Sequence, residues 1–210
     1  MAVLITGGAR SGKSAFAERY ARSIRKEGIY VATGQAFDDE MADRIRQHRL
    51  DREKQAGITW TTVEEPFKLA EWLQTYTDNG HSNGSLQSEP HHSRPNAISG
   101  NLRSPVILVD CLTLWLTNHL LREEEDPSVQ LSVEIDKLIA AISAFPLPLL
   151  LVTNEVGDGI VPSYPLGRRF RDEAGRLNQR AAAVSERVFL VTSGIPVDLR
   201  SIAFRFEEDI

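Results

Sequence analysis

An α/β fold with a mostly parallel sheet and helices on both faces is predicted by three observations. Short, continuous apolar runs recur along the chain without polar alternation, which marks strands buried on both faces. Between them lie segments with apolar residues at helical spacing, so strand and helix alternate. The first run, Val3 to Thr6, passes directly into Gly7-Gly8-Ala9-Arg10-Ser11-Gly12-Lys13-Ser14, a turn rich in small residues before a helix. The 210 residues suit a single domain, spanning 1–210, with room for one sizeable loop insertion.

Each element has its own signal. Phe16, Ala17, Tyr20, Ala21 and Ile24 share one helical face, and Gly28 is read as the stop of that helix. Ile29 to Thr33 is a second buried strand ending at Gly34. Asp38-Asp39-Glu40 supplies a cap and first-turn negative charge for a polar helix to about Lys54. Thr59 to Val63 has β-forming composition, and Pro66 can open a short helix through Trp72 and Leu73. Pro105 to Asp110 is a buried strand ending in a carboxylate. A helix through Leu112, Trp115 and Leu116 follows, then an acidic turn, Glu123 to Pro127. Leu131, Ile135, Leu138, Ile139 and Ile142 mark an amphipathic helix, and Leu149 to Thr153 another strand. Phe170, Ala174, Leu177, Ala181 and Val184 stripe a long helix, and Val188 to Val191 is the last clear strand.

From about Thr77 to Ser104 the composition turns to Ser, Asn, Gly, His and Pro. Without large apolar side chains such a segment cannot offset its ordering entropy, and a disordered surface insertion is expected. It precedes the strand ending at Asp110, so it should leave the sheet at the amino edge. His81, His91 and His92 lie in it, but no Cys or compact ligand spacing makes them a metal site. A net charge of −5 with no basic block disfavours nucleic acid as partner. The single cysteine, Cys111, excludes an internal disulfide and reads as a small buried side chain in a reducing compartment. No run reaches transmembrane length, and the first residues already read as strand and phosphate loop. A cytoplasmic protein is expected.

The stretch Gly7 to Ser14 satisfies G-x-x-x-x-G-K-[ST] in the context the motif requires, strand before and helix after. Small residues let backbone N–H groups converge on an anion at a helix N-terminus. Gly7, Gly8, Ala9, Arg10, Ser11, Gly12, Lys13 and Ser14 are therefore expected to hold the phosphates of GTP or ATP. Lys13 would reach the β- and γ-phosphates, and Ser14 would ligate Mg²⁺. The fold expected is a P-loop NTPase of the RecA-like kind.

In such a sheet, ligands gather beyond the carboxyl ends of the strands. Those ends nominate Thr33 and Gly34, Asp110, and Thr153-Asn154-Glu155. Asp110 is placed to hold Mg²⁺, directly or through water; the alternative is a helix cap. Asn154-Glu155 either serves the site or caps a turn. His48 lies four residues after Arg44 on the polar helix, with Arg49 and Arg52 nearby. It reads either as a solvated side chain or as a nucleophile. Neutral imidazole (unperturbed pKa ~6.5) can attack phosphorus, while arginines stabilise the developing charge.

At this point the sequence resembles the bifunctional adenosylcobinamide kinase / adenosylcobinamide-phosphate guanylyltransferase family of cobalamin biosynthesis. The residues that carry it begin with Gly7 to Ser14, Ala32-Thr33-Gly34-Gln35 and Asp38 to Ala42. Arg44-Ile45-Arg46-Gln47-His48, Trp60 and Glu64 follow, then Leu151 to Gly157, Gly159 to Pro162, and Phe170-Arg171-Asp172 through Gly175 to Gln179. The phosphate loop is widely shared, whereas its combination with R-I-x-x-H and T-N-E-V-G is specific. The insertion falls outside the family pattern.

The resemblance implies two reactions at one nucleotide site. The γ-phosphate of ATP or GTP passes to the aminopropanol hydroxyl of adenosylcobinamide. The family's histidine, here His48, then takes GMP from GTP and delivers it to adenosylcobinamide phosphate. Implied nucleotide contacts are Gly7 to Ser14, Ala32, Thr33, Gly34, Arg49, Leu50, Asp51, Arg52, Glu64 and Asp110. Implied too is a homotrimer; that no nucleic acid is a partner and no segment spans a membrane are expected from charge and run length, as above. Two other readings compete: a single-activity P-loop kinase of a small molecule, and a non-enzymatic GTP-binding switch.

Overall fold

The computed structural model describes residues 1–35, 56–77 and 104–205. In chain order the elements are β1 (Ala2–Thr6), α1 (Lys13–Ile24), β2 (Glu27–Ala32), β3 (Thr59–Glu64) and α2 (Leu69–Tyr76). Then come β4 (Val106–Asp110), α3 (Leu112–Glu125), α4 (Leu131–Ala144), β5 (Leu149–Val152) and α5 (Pro165–Ala183). The last are β6 (Arg187–Thr192), β7 (Ile195–Asp198) and α6 (Leu199–Ile202). The strands form one sheet in the order β3-β2-β4-β5-β1-β6-β7. All neighbours run parallel except β6 and β7. This is the α/β, mostly parallel fold expected, with one strand, β5, standing between β1 and β4.

Period-two alternation divides the core between the two faces. Leu4, Val31, Ile107, Val109, Leu149 and Leu151 face α2, α3, α4 and α5. Val3, Ile5, Tyr30, Leu108, Leu150 and Val152 face the other side, where Ala17 and Ala21 of α1 pack on them. The small side chains of α1 bring its backbone close to the sheet, which seats the end of β1 and the start of α1 tightly together.

Several expectations are corrected. Gly28 does not stop α1, which ends at Ile24; it lies inside β2 opposite Trp60 of β3. A Cβ there would lie 2.4 Å from the indole ring, so glycine is needed for the close approach. Pro66 does not open α2, which starts at Leu69; the Glu65 carboxylate accepts from the N–H groups of Phe67 and Lys68 before it. Glu123 to Glu125 are the last turn of α3 rather than a free turn. Glu123 accepts from the Leu131 N–H at 2.9 Å and pairs with Arg169, which also meets Glu124 at 3.1 Å. These contacts offset negative charge at a helix C-terminus.

The chain also continues past the last strand expected. Ser193 (φ 51°) and Gly194 (φ 79°) both occupy the left-handed region and turn β6 back into the antiparallel β7. Pro196 is tolerated because β7 is an edge strand. The polar helix expected from Asp38 to Lys54, the insertion and its three histidines lie outside the described residues, apart from Thr77 and Ser104 at the insertion's borders.

Candidate nucleotide-binding site

The phosphate loop leaves β1 at Thr6 and re-enters regular structure at Lys13. Arg10 (φ 56°) and Gly12 (φ 93°) turn left-handed to reverse the chain. Gly7 is fitted closely: a Cβ would lie 2.3 Å from the Val191 carbonyl and 2.7 Å from Ser11 Oγ. Gly12 passes the Gly194 backbone so closely that its Cβ would approach Cα at 3.2 Å. The Gly194 N–H donates to the Ser11 carbonyl at 2.8 Å, so the β6–β7 turn buttresses the loop. Gly8, by contrast, is exposed with open space beside it. Lys13 folds back over the loop, its Nζ donating to the Gly8 carbonyl at 3.1 Å. Ser14, half-buried, follows it on the first turn of α1. The buried hydroxyls of Thr6 and Ser11 have no hydrogen-bond partner among the described residues.

The carboxyl ends of the other strands arrive at the same level. Ala32 of β2 is in register with Glu64 and with Asp110, and Asp110 with Val152 of β5. Asp110 has the parity of Val106 and Leu108, so its carboxylate points to the face that carries α1. There it accepts a hydrogen bond from the Tyr30 hydroxyl at 3.0 Å. It does not cap α3; Cys111 occupies that position, without a side-chain cap. Glu64 is exposed at the end of β3, and Gly34 is half-buried.

Parity sends Thr33 the other way. It is fully buried, and its hydroxyl both donates to the Cys111 carbonyl at 2.7 Å and accepts from the Cys111 N–H at 2.9 Å. Its own N–H donates to the Asp110 carbonyl at 3.4 Å, and its carbonyl accepts from Asn118 Nδ2 at 2.8 Å. These bonds engage every polar group of Thr33 and make it a clamp beneath Asp110.

A second polar cluster ties the end of β5 in place. Asn154 Nδ2 donates to the Thr113 hydroxyl at 2.8 Å, and Thr153 donates to Asn178 Oδ1 at 2.7 Å. Asn178 returns a bond to the Asn154 carbonyl at 3.0 Å. Glu155 accepts from the Gly157 N–H at 3.0 Å, which is the turn-capping alternative, while its own N–H donates to the Gly7 carbonyl at 3.0 Å. Burial pushes the Cys111 thiol up to about 11, and the neighbouring Asp110 charge adds to the rise. Cys111 is thus the inert buried side chain expected.

Tyr30, Thr113 and Asn118 were not nominated from the sequence, and Asn178 entered only within a matching segment, because nothing in their spacing says which strand end they will meet. Trp115 is buried in the core on one face of the sheet, where Trp72 packs against that core, and Trp60 packs against the core on the opposite face. His48, Arg49, Leu50, Asp51 and Arg52 lie outside the described residues. Among the described residues no group of three His, Cys, Asp or Glu side chains could hold a metal by itself.

A glycine-lined loop between a central parallel strand and a helix, with a carboxylate ending another strand on the same face, defines a P-loop NTPase. Comparison with known proteins narrows the class. The chain matches the family CobU, cobinamide kinase / cobinamide phosphate guanyltransferase, over residues 3–84 and 87–199. It is 41% identical to the bifunctional adenosylcobalamin biosynthesis protein CobP of Pseudomonas aeruginosa over 197 residues, 94% of this chain and 96% of that protein. It is 39% identical over 210 residues to the corresponding CobU protein of Escherichia coli, 95% of this chain and 100% of that one. The CobU protein of Salmonella typhimurium is likewise 39% identical over 211 residues, with the same coverage. The chain belongs to the cobinamide kinase / cobinamide phosphate guanyltransferase family.

Proposed function

We propose that this chain catalyses two consecutive steps of cobalamin biosynthesis. It passes the γ-phosphate of ATP or GTP to the aminopropanol hydroxyl of adenosylcobinamide. It then transfers GMP from GTP, through a guanylylated His48, to give adenosylcobinamide-GDP. The observation that carries this is the phosphate cradle of Gly7 to Ser14, with Asp110 facing the same side of the sheet, in a chain that matches the family over nearly its whole length.

In the first step the substrate hydroxyl attacks the γ-phosphorus, the bond to the β-phosphate oxygen breaks, and the hydroxyl proton is lost. Lys13, held over the loop, offsets charge on the phosphate oxygens. In the second step the His48 imidazole attacks the α-phosphorus and pyrophosphate leaves. The phosphate of the phosphorylated corrinoid then displaces the histidine, forming a new phosphoanhydride and restoring the free imidazole. Guanylate contacts from Ala32, Thr33, Gly34, Glu64 and Arg49 to Arg52 belong to the same proposal.

One carboxylate and one hydroxyl, Asp110 and Ser14, suit Mg²⁺, which keeps several waters and takes its remaining ligands from phosphates. The unpartnered hydroxyls of Thr6 and Ser11 fit a loop that is completed by phosphate oxygens or water. When bound, the ion would neutralise charge on the phosphates. A cytoplasmic homotrimer is the proposed form, measurable by sedimentation; no described helix is long and apolar enough to cross a membrane.

GTP labelled at the α-phosphate tests the reading. Label is expected to become acid-labile and protein-bound in the wild type and to be absent in His48→Ala. A single-activity kinase would move only γ-label to cobinamide, and a switch would move neither.

A further inference from the structure

The loop between β5 and α5 has no part in the chemistry described above, yet it carries three exposed apolar side chains, among them Ile160, the most exposed large apolar side chain of the described residues. Ile160 is 97% exposed, Val161 56% and Tyr164 61%. These side chains stand in water although both feet of the loop are fastened. Arg171 Nε donates to the Gly157 carbonyl at 3.2 Å. Arg168 Nη1 donates to the carbonyls of Pro162 at 3.2 Å and Ser163 at 2.6 Å. The Tyr164 ring lies against Gly167, where a Cβ would come within 2.6 Å of it. An apolar tip on a fastened loop presents a surface rather than a frayed end.

Its position relates it to the nucleotide. The loop springs from β5, the strand between β1, which ends in the phosphate loop, and β4, which ends in Asp110. Glu155, two residues before Gly157, donates its N–H to the Gly7 carbonyl. Ile160 is three residues past Gly157, so it stands within about 10 Å of that foot. At the foot opens a cleft of about 480 Å³, lined by Gly157, Arg171, Asp172, Gly175, Arg176 and Gln179. Gly175 leaves its floor open, since a Cβ there would meet nothing within 4 Å.

We propose that this loop and cleft seat the corrinoid body of the second substrate. The inference rests on the function proposed above and deepens it. A corrin ring combines an apolar, methyl-bearing edge with carboxamide arms, and its reacting hydroxyl hangs on a separate flexible arm. Ile160, Val161 and the Tyr164 ring meet the apolar edge. Asp172, Arg176 and Gln179 supply acceptors and donors for carboxamides. The reacting arm is left to reach toward the phosphate loop beside Gly7. This division, an apolar platform with a few polar groups that fix orientation, is how large flat ligands are commonly held.

The test uses the Ile160→Asn/Val161→Asn double variant and, separately, Gly175→Leu, which plugs the cleft while raising helix propensity. Three quantities are measured: KM for cobinamide in the phosphorylation, covalent α-label from GTP without any corrinoid, and sedimentation. Both variants are expected to raise KM for cobinamide about tenfold or more, the scale of losing a buried aliphatic contact. Corrinoid-independent labelling and sedimentation should match the wild type. A KM within twofold of wild type overturns the proposal. So does a parallel loss of labelling, which would assign the loop to the nucleotide, or a change in sedimentation, which would make it a subunit interface. If the wild type itself takes no α-label, the proposed function has failed, and that is visible without either variant.

Discussion

Replacing Thr33 by valine keeps shape and deletes one hydroxyl that makes two buried bonds to Cys111. The losses are unequal. The Cys111 carbonyl also accepts from the Trp115 N–H at 3.2 Å, so it keeps a partner when the Thr33 bond goes. The Cys111 N–H has only the Thr33 hydroxyl as acceptor among the described residues. An orphaned buried N–H costs about 1–3 kcal/mol, and the lost second bond to a satisfied carbonyl about 0.5–1.5 kcal/mol. Thr33→Val should therefore destabilise by about 2–4 kcal/mol, or roughly 5–15 °C in Tm for a chain of this size. Thr33→Ser keeps the hydroxyl and removes one buried methyl, about 1 kcal/mol. Thermal and urea unfolding of the two variants side by side give the comparison. Because the clamp holds the peptide that follows Asp110, Thr33→Val should also raise the Mg²⁺ concentration for half-maximal labelling by GTP, and Thr33→Ser should not. Equal destabilisation by Ser and Val would refute the hydroxyl's role, and a wild-type Mg²⁺ dependence in Thr33→Val would refute the link to Asp110.

Gly28→Ala forces the Trp60 ring to retreat by more than about 1 Å from 2.4 Å to ordinary contact, an overpacking cost of about 1–3 kcal/mol. The cost should shrink in a Trp60→Leu background, and strict additivity in that double-mutant cycle would contradict the account. Burial holds His119 below its usual pKa, with Nε2 at 2.9 Å from the Phe67 carbonyl. The unfolded chain then takes up a proton near pH 6.5 that the fold refuses, so stability is full above that pH and falls as pH drops toward the folded value. Tm should be lower at pH 5.5 than at 7.5, and less so in His119→Gln; identical pH dependence in both proteins would count against it. The Cys111 thiol, raised to about 11 and buried, should resist iodoacetamide at pH 8 in the native protein and react once unfolded, whereas labelling of the native state within minutes would contradict its burial.

Much of the architecture was legible because its signals are local. Runs such as Val106 to Val109 and Leu149 to Val152 are long enough in apolar residues to demand burial on both faces, and the sheet places them at its centre. The phosphate loop was readable because strand, glycines, lysine and helix must be contiguous for the anion site to exist. What failed locally failed where a distant residue decided. Gly28 looks like a helix stop until Trp60 is set opposite it in a neighbouring strand. The acidic residues at the end of α3 look like a turn until Arg169, far along the chain, neutralises them. β7 is hard to read locally, since it is four residues long and holds a proline that suits a strand only at an edge.

By itself, then, the amino-acid order determined the alternation of strand and helix, the phosphate cradle, and which chemically active residue types end the strands. Only the tertiary structure decided how those strand ends are used. Strand order placed β5 between the loop strand and the Asp110 strand. Side-chain parity turned Asp110 toward α1 and Thr33 away from it, although the sequence nominated both for one site. The reason is that a strand's pleat and its neighbours, rather than residue type, set the direction in which a polar group points and whether any of its hydrogen-bonding capacity is left for a ligand.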